Sequence, residues 1–387
     1  MKTKIVWFIL LALVLTSCKG DPRKEDVLAE TTNSSESMRE SEIQSSQPES
    51  SQPSEVPSQE PSTEEPSIQE PEIVTLTISA AGDVTLGKLH THSYDRTLNE
   101  YYDKNGPEYF FRDVKPIFEA DDMTIVNFEG VLTLTDDRVE KTFNMKGDPE
   151  YVNILKEGNI EAVSFANNHR MDYGQQGSDD TIAAFEEAEI AYAYDSYIGY
   201  YEAKGLTVGF VSINQVYDSR KVIEGYLESG INQLKEEGVD LIIACCHWGA
   251  EKKHYPNDYQ TKLGQMCIDW GADLVIGHHP HVLQGVDEYK GKYIVYSLGN
   301  FCFGGNKNPQ IKDTMIYQQT FTFVDGEKQE DAEIRIIPCY ISSARDRNDY
   351  QPTLAEGDEI KRIIDQVNTY SEAFGVRFDE EGYLVQE

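Results

Sequence analysis

The sequence predicts a layered α/β fold, with mixed sheets flanked by helices, and three observations carry that expectation. Apolar runs of strand length recur from residue 73 onward, several nearly continuous in Val, Ile, Leu and Ala. Between them lie stretches whose apolar residues fall three or four apart, the period of a helix with one buried face. Polar clusters stand where those strands should end, as in "AAGD", "NFEG", "ANNH", "CCH" and "GHHPH". Strands covered on both faces read as unbroken apolar runs, and open α/β sheets bind ligands beyond the strands' carboxyl ends.

In chain order, strands are expected within 73–82, 123–130, 160–168, 206–214, 239–249 and 272–279. Residues 177–190 and 222–238 carry the helical period. A strand-rich return follows at 292–301, 315–325 and 332–342, then a helix over 355–374 that Gly375 ends. These elements delimit a globular domain at 73–345, long enough for a substantial core, with 346–387 as a helical extension packing on it.

The N-terminus reads differently. Lys2 and Lys4 precede "IVWFILLALVL" (5–15), an apolar run short for a bilayer span, and "LTSC" (15–18) resembles a bacterial lipobox. That resemblance implies a lipoprotein signal peptide at 1–17 and a lipid anchor at Cys18, on the extracytoplasmic side of a bacterial cell membrane. Residues 18–72 continue as a tether rich in Pro, Ser, Gln and Glu, with too little apolar surface to offset the entropy of ordering. Its prolines and like charges favour an extended spacer.

The chain carries a formal charge of −34, and no basic stripe with interleaved aromatics interrupts it, so nucleic acid is excluded as a partner. Beyond Cys18, the cysteines Cys245, Cys246, Cys267, Cys302 and Cys339 are odd in number and include no CxxC pair. They point away from a disulfide scaffold or a thiolate zinc site and toward small buried apolar residues.

The polar clusters carry the chemistry. Asp83 leaves a strand beside Gly82, either as a turn cap or as a metal carboxylate, and Glu129 repeats the arrangement with the reach to bridge two cations. Asn127 either supports Glu129 or satisfies backbone groups. Asn168 offers an amide oxygen and His169 an imidazole, with Asp172 close by. His247 ends an apolar run; Glu251, four residues on, either orients an imidazole, binds substrate or lies on the surface. In "GHHPH", His279 and His281 converge only if the backbone bends at Pro280, while His278 is better placed to pack or to hydrogen-bond a neighbour. Oxygen and imidazole donors suit divalent manganese, iron or zinc, as one cation or two, and a pair of cations serves metal-assisted hydrolysis.

The ordered motifs "GDVTLG", "NFEG", "NNHRMDYG", "HWGAE", "GHHPHVLQG" and "YSLGNF" resemble the CapA family of poly-gamma-glutamate capsule synthesis proteins over residues 75–305. That family is similar to calcineurin-like metallophosphatases. The resemblance implies that Asp83 and His281 contact a first metal and that Glu129 takes the place of a bridging Asp. It implies a second metal held by Asn168, His247 and His279. His169 would assist the leaving group, and Glu251 is the other candidate catalytic side chain. The usual opening Asp-x-His is here Asp83-Val84-Thr85, leaving His90 or His92 to approach from the following loop. The implied function lies in capsule or cell-surface polymer synthesis, as a metal-dependent hydrolase or a non-catalytic assembly component. The implied partners are an anionic polymer such as poly-gamma-glutamate and capsule-synthesis membrane proteins.

Overall fold

The structure, a computed structural model, describes residues 70–385. The expected signal peptide, Cys18 and nearly all of the expected tether lie outside these residues. Two sheets face one another. The first runs β17 (Thr353–Leu354), β16 (Glu327–Tyr340), β15 (Asp313–Val324), β1 (Ile73–Thr85), β3 (Met123–Phe128), β6 (Ala162–Ser164) and β7 (Ala191–Ala193), with β14 (Asn300–Phe303) also pairing β1. The second runs β12 (Val286–Tyr289), β13 (Lys292–Val295), β11 (Leu274–His278), β10 (Leu241–His247), β9 (Leu206–Asn214) and β8 (Gly199–Ala203). A small third sheet joins β2 (Lys88–Leu89), β5 (Met145–Gly147) and β4 (Val131–Leu132). The pairs β1–β3–β6–β7 and β9–β10–β11–β13 are parallel, whereas β15, β16 and β17 return antiparallel. The expected layered α/β fold of mixed sheets is therefore present.

Alternation along each strand builds the layers. In β10, Leu241, Ile243 and Cys245 enter a core shared with Ile78 and Ile125 of the first sheet. Ile242, Ala244 and Cys246 pack the other way, among residues of α5 (Arg220–Glu236) and α6 (Asp258–Trp270). Behind the first sheet, Val126, Phe128 and Val163 meet α1 (Leu98–Asn105), α2 (Lys115–Phe118), α3 (Val152–Glu157) and α4 (Gly174–Glu187) through Leu98, Phe118, Leu155 and Phe185. Each fully buried Leu, Ile or Phe contributes roughly 1.5–3 kcal/mol relative to exposure. The last helix, α7 (Asp358–Ser371), places Ile363, Ile364 and Val367 in the central core. Gly375, at φ 73°, closes the short turn that follows it.

Helix α6 was not anticipated. Its signal was present: Asn257 and Gln260 form a reciprocal capping box before a mixed apolar stretch. The five described cysteines are buried and unpaired. Among the described residues, no helix is long and apolar enough to cross a membrane.

Candidate metal centre

The strand ends converge as the sequence suggested, with one correction. Asp83 does not follow β1 but lies within it, in register with Asn127 of β3 and Asn300 of β14. The pairing with β3 shifts between Ala80 and Asp83, and that irregularity turns the carboxylate toward the second sheet's loops. Gly82 makes the turn possible, because a Cβ there would stand 2.0 Å from the Gly299 carbonyl oxygen. The Asp83 amide donates to that same oxygen at 2.9 Å.

The Asp83 carboxylate is fully buried. Oδ1 accepts from Asn127 Nδ2 at 2.9 Å and lies 3.2 Å from His278 Nδ1. Oδ2 lies 2.9 Å from His281 Nδ1 but off the axis of a hydrogen bond, so it has no aligned donor. Burial alone would raise its pKa; the His278 and His281 imidazoles outweigh burial and hold it well below the usual carboxylate range.

Glu129 follows β3, its amide donating to the Val84 carbonyl at 2.7 Å and its carbonyl accepting from Thr85 Oγ1 at 2.7 Å. The side chain is fully buried yet poorly satisfied. Asn127 Nδ2 is 3.4 Å from Oε2, and Nε2 of both His169 and His281 stand 3.7 Å from Oε1. Burial pushes its pKa up to about 8. Burial would lower that of His281, but the Glu129 and Asp83 carboxylates raise it to about 10. Ligand atoms of Asp83, Glu129 and His281 all lie within 4.8 Å of one another.

A second group adjoins the first. His247 ends β10, with Nε2 2.7 Å from Asn168 Oδ1 and its ring centroid 4.7 Å from that of His279. Burial holds His247 well below the usual imidazole pKa and lowers His279 to about 4, so both are neutral near pH 7. The anticipated bend is present: His279 at φ 95° and His281 at φ 57° flank Pro280. These left-handed conformations are strained for residues other than glycine, and such strain clusters at functional sites.

His169 is oriented from behind. Its Nδ1 lies 2.7 Å from Asp172 Oδ2, and Lys141 Nζ reaches Asp172 Oδ1 and the Asn168 carbonyl, each at 2.7 Å. Lys141 was missed, since no local pattern ties it to His169. Glu129, His169 and His281 face a cleft of about 540 Å3 that His92 also lines, whereas His90 does not. Glu251 stands exposed on its rim, with no hydrogen bond to an imidazole among the described residues. His278, set aside as a ligand, contacts Asp83 instead.

Buried Asp, Glu and His side chains, with the half-buried Asn168 and His281, gather at the strand ends of two facing sheets, the arrangement of a layered α/β protein with a candidate metal site. Residues 77–305 match the family described as bacterial capsule synthesis protein PGA_cap, and the protein belongs to that family. It is 32% identical over 249 residues to the PGA biosynthesis protein CapA of Bacillus subtilis (strain 168), covering 59% of this chain and 63% of that one. It is 32% identical over 268 residues to the capsule biosynthesis protein CapA of Bacillus anthracis, covering 63% of each. The matched segment thus spans just under two thirds of the length of these curated relatives. Among solved structures, the NAD nucleotidase of Haemophilus influenzae aligns at TM-score 0.40 and 16% identity, over 77% of this chain and 56% of its own.

Proposed function

We propose that the protein is a metal-dependent hydrolase acting in the synthesis of a cell-surface polymer such as poly-gamma-glutamate, held by a lipid on Cys18 at the extracytoplasmic face of the membrane. The observation that carries this reading is the Asp83–Glu129–His281 cluster, two buried carboxylates and a half-buried imidazole whose ligand atoms lie within 4.8 Å. Glu129 Oε1 has no hydrogen-bond donor, and a buried carboxylate in that condition is costly unless a cation compensates it. Neutral His247 and His279 beside Asn168 offer a second set of donors, and the mixture fits manganese, iron or zinc.

Asp83 and His281 would hold one cation, Asn168, His247 and His279 another, with Glu129 between them. Bound there, the cations supply positive charge that polarises an ester or amide oxygen and acidifies water. The chain's own groups do the rest. Asp172 fixes His169 through Nδ1, leaving Nε2 toward the cleft to protonate a leaving group or stabilise its charge. Glu251 and Lys252 line the rim, where they would contact the substrate beyond the scissile bond.

The test is hydrolysis of a chromogenic phosphomonoester and of a γ-glutamyl amide by the full chain, before and after metal removal. Turnover that needs metal and is lost in His281→Ala supports the reading; undiminished turnover in that variant overturns it. Polymer binding retained without metal, and without turnover, points instead to a non-catalytic component of a capsule synthesis complex.

A further inference from the structure

The metal cleft joins two kinds of surface. Glu129, His169 and His281 form its polar side. Leu89, Phe143, Met145, Phe303 and Ile311, drawn from separate segments of the chain, line the same space. Leu89 and Met145 pair across β2 and β5, so their side chains share one face of the small sheet. The Phe303 ring stands 5.4 Å from that of His281, centroid to centroid, and the apolar wall therefore begins at a candidate ligand.

Two of these side chains are held open to water. Phe143 is 57% exposed and Ile311 38%, and neither joins the packed cores. Single exposed apolar residues are ordinary, but several gathered round one cavity mark a binding surface. Asn300 and Asn306 also line the cleft, but their side-chain oxygens are engaged. Asn300 Oδ1 lies 3.0 Å from His281 Nδ1, and Asn306 Oδ1 accepts from the Asn308 amide at 2.9 Å.

One occupant has to suit both surfaces. A wholly polar substrate, such as a chain charged along its length, would meet the metal ligands and leave the apolar wall wet. A purely apolar ligand would cover the wall but strip water from Glu129 without compensating its carboxylate. We propose that the cleft takes the phosphomonoester of an apolar alcohol, its phosphate at the metal ligands and its hydrocarbon arm along Phe143, Phe303 and Ile311. The proposal rests on the hydrolase reading for the reacting head group and adds the arm. Hydrolysis joins a water oxygen to phosphorus, breaks the bond from phosphorus to the alkyl oxygen, and passes a proton to that oxygen, releasing alcohol and inorganic phosphate. The cleft volume of about 540 Å3 lies in the range of small-molecule sites.

The full chain, loaded with manganese, would be titrated calorimetrically with hexylphosphonate and methylphosphonate, which share a head group and resist hydrolysis. Hexylphosphonate should bind at least about tenfold tighter, the gain from burying about two methylenes. That preference should fall at least about threefold in Phe143→Ser and in Ile311→Ser, and persist in Phe143→Leu. Both serine variants should unfold at the native temperature, because the side chains they replace are exposed. Equal affinity for the two phosphonates, binding of neither, or a preference undiminished in either serine variant overturns the proposal. So does a lower unfolding temperature in both, which would make Phe143 and Ile311 structural. Turnover separates the arm from the hydrolase reading. Hexyl phosphate left intact by a protein that prefers hexylphosphonate sinks that reading alone; methyl and hexyl phosphates cleaved with equal kcat/KM keep the reading and overturn the arm.

Discussion

His281 Nδ1 lies 2.9 Å from Asp83 Oδ2, a contact that joins a strand of the first sheet to the loop leaving the second. Neither residue is placed by local preference. Asp83 sits where β1 breaks register beside a glycine that tolerates no Cβ, and His281 holds a left-handed backbone just past Pro280. Such strain of order 1–3 kcal/mol persists only where the surrounding packing fixes it. Two sheets supply that packing, and the ligand cluster forms across them.

Metal affinity should rise with pH. In the metal-free protein burial raises the Glu129 pKa, and the Glu129 and Asp83 carboxylates raise that of His281, so at pH 7 the pair holds at least one proton that a cation must displace. Displacing one proton makes affinity climb about tenfold per pH unit near pH 7. Calorimetry in buffers of different ionisation enthalpy counts the released protons directly. Binding at pH 7 with no proton release would contradict this assignment.

Glu129→Gln should separate stability from function. The folded pKa of Glu129 is raised from 4.5 to about 8, so its charged form penalises the metal-free fold increasingly as pH rises through that window. Removing the charge should stabilise metal-free protein at pH 8 by roughly 1–3 kcal/mol. Metal content should fall at the same time. Thermal unfolding and elemental analysis on one preparation read both effects, and a destabilised variant would count against the account.

Much of this site was legible because chemistry and periodicity coincided. Apolar runs named β9, β10 and β11, and the residues at their ends, Asn214, His247 and His278, fall in one register row across the second sheet. What escaped has physical reasons. Lys141 reaches Asp172 and the Asn168 carbonyl only through tertiary folding, and it stands in a stretch without strand or helix periodicity. The Leu89–Met145 pairing depends on the register of very short strands, which no apolar pattern announces. The end of β1 was placed at residue 82 rather than Thr85 because β1 continues past its irregularity to pair with β14.

Asp172→Asn should lower turnover more than metal content. Asp172 accepts at 2.7 Å from Lys141 and from the Met145 amide, and sits 2.7 Å from His169 Nδ1. The amide would preserve size but lose the charge that fixes the imidazole and its tautomer. A loss of about 10–100-fold in kcat with near-native metal content is expected. The matching measurement is a pH–rate profile of metal-loaded protein, in which the limb belonging to His169 should shift. An unchanged profile would remove His169 from proton transfer.

Gly82→Ala tests whether the close approach of two backbones, rather than the ligands alone, builds the site. An added Cβ would stand 2.0 Å from the Gly299 carbonyl oxygen and 2.9 Å from its carbon, contacts that neither β1 nor the 299–300 segment can relieve by a side-chain rotation. The strands must separate, lengthening the 2.9 Å hydrogen bond from Asp83 to Gly299 and moving Asp83 away from His281. A loss of about 1–3 kcal/mol follows from overpacking, with reduced metal affinity because the displaced residue is itself a candidate ligand. Gly225→Ala is the control. That glycine lies in α5, with nothing within 4 Å of its built Cβ, and alanine there should add about 0.5–1 kcal/mol through helix propensity. Denaturant unfolding of the two variants, with metal content measured alongside, should therefore show opposite signs in stability and a metal defect in Gly82→Ala alone.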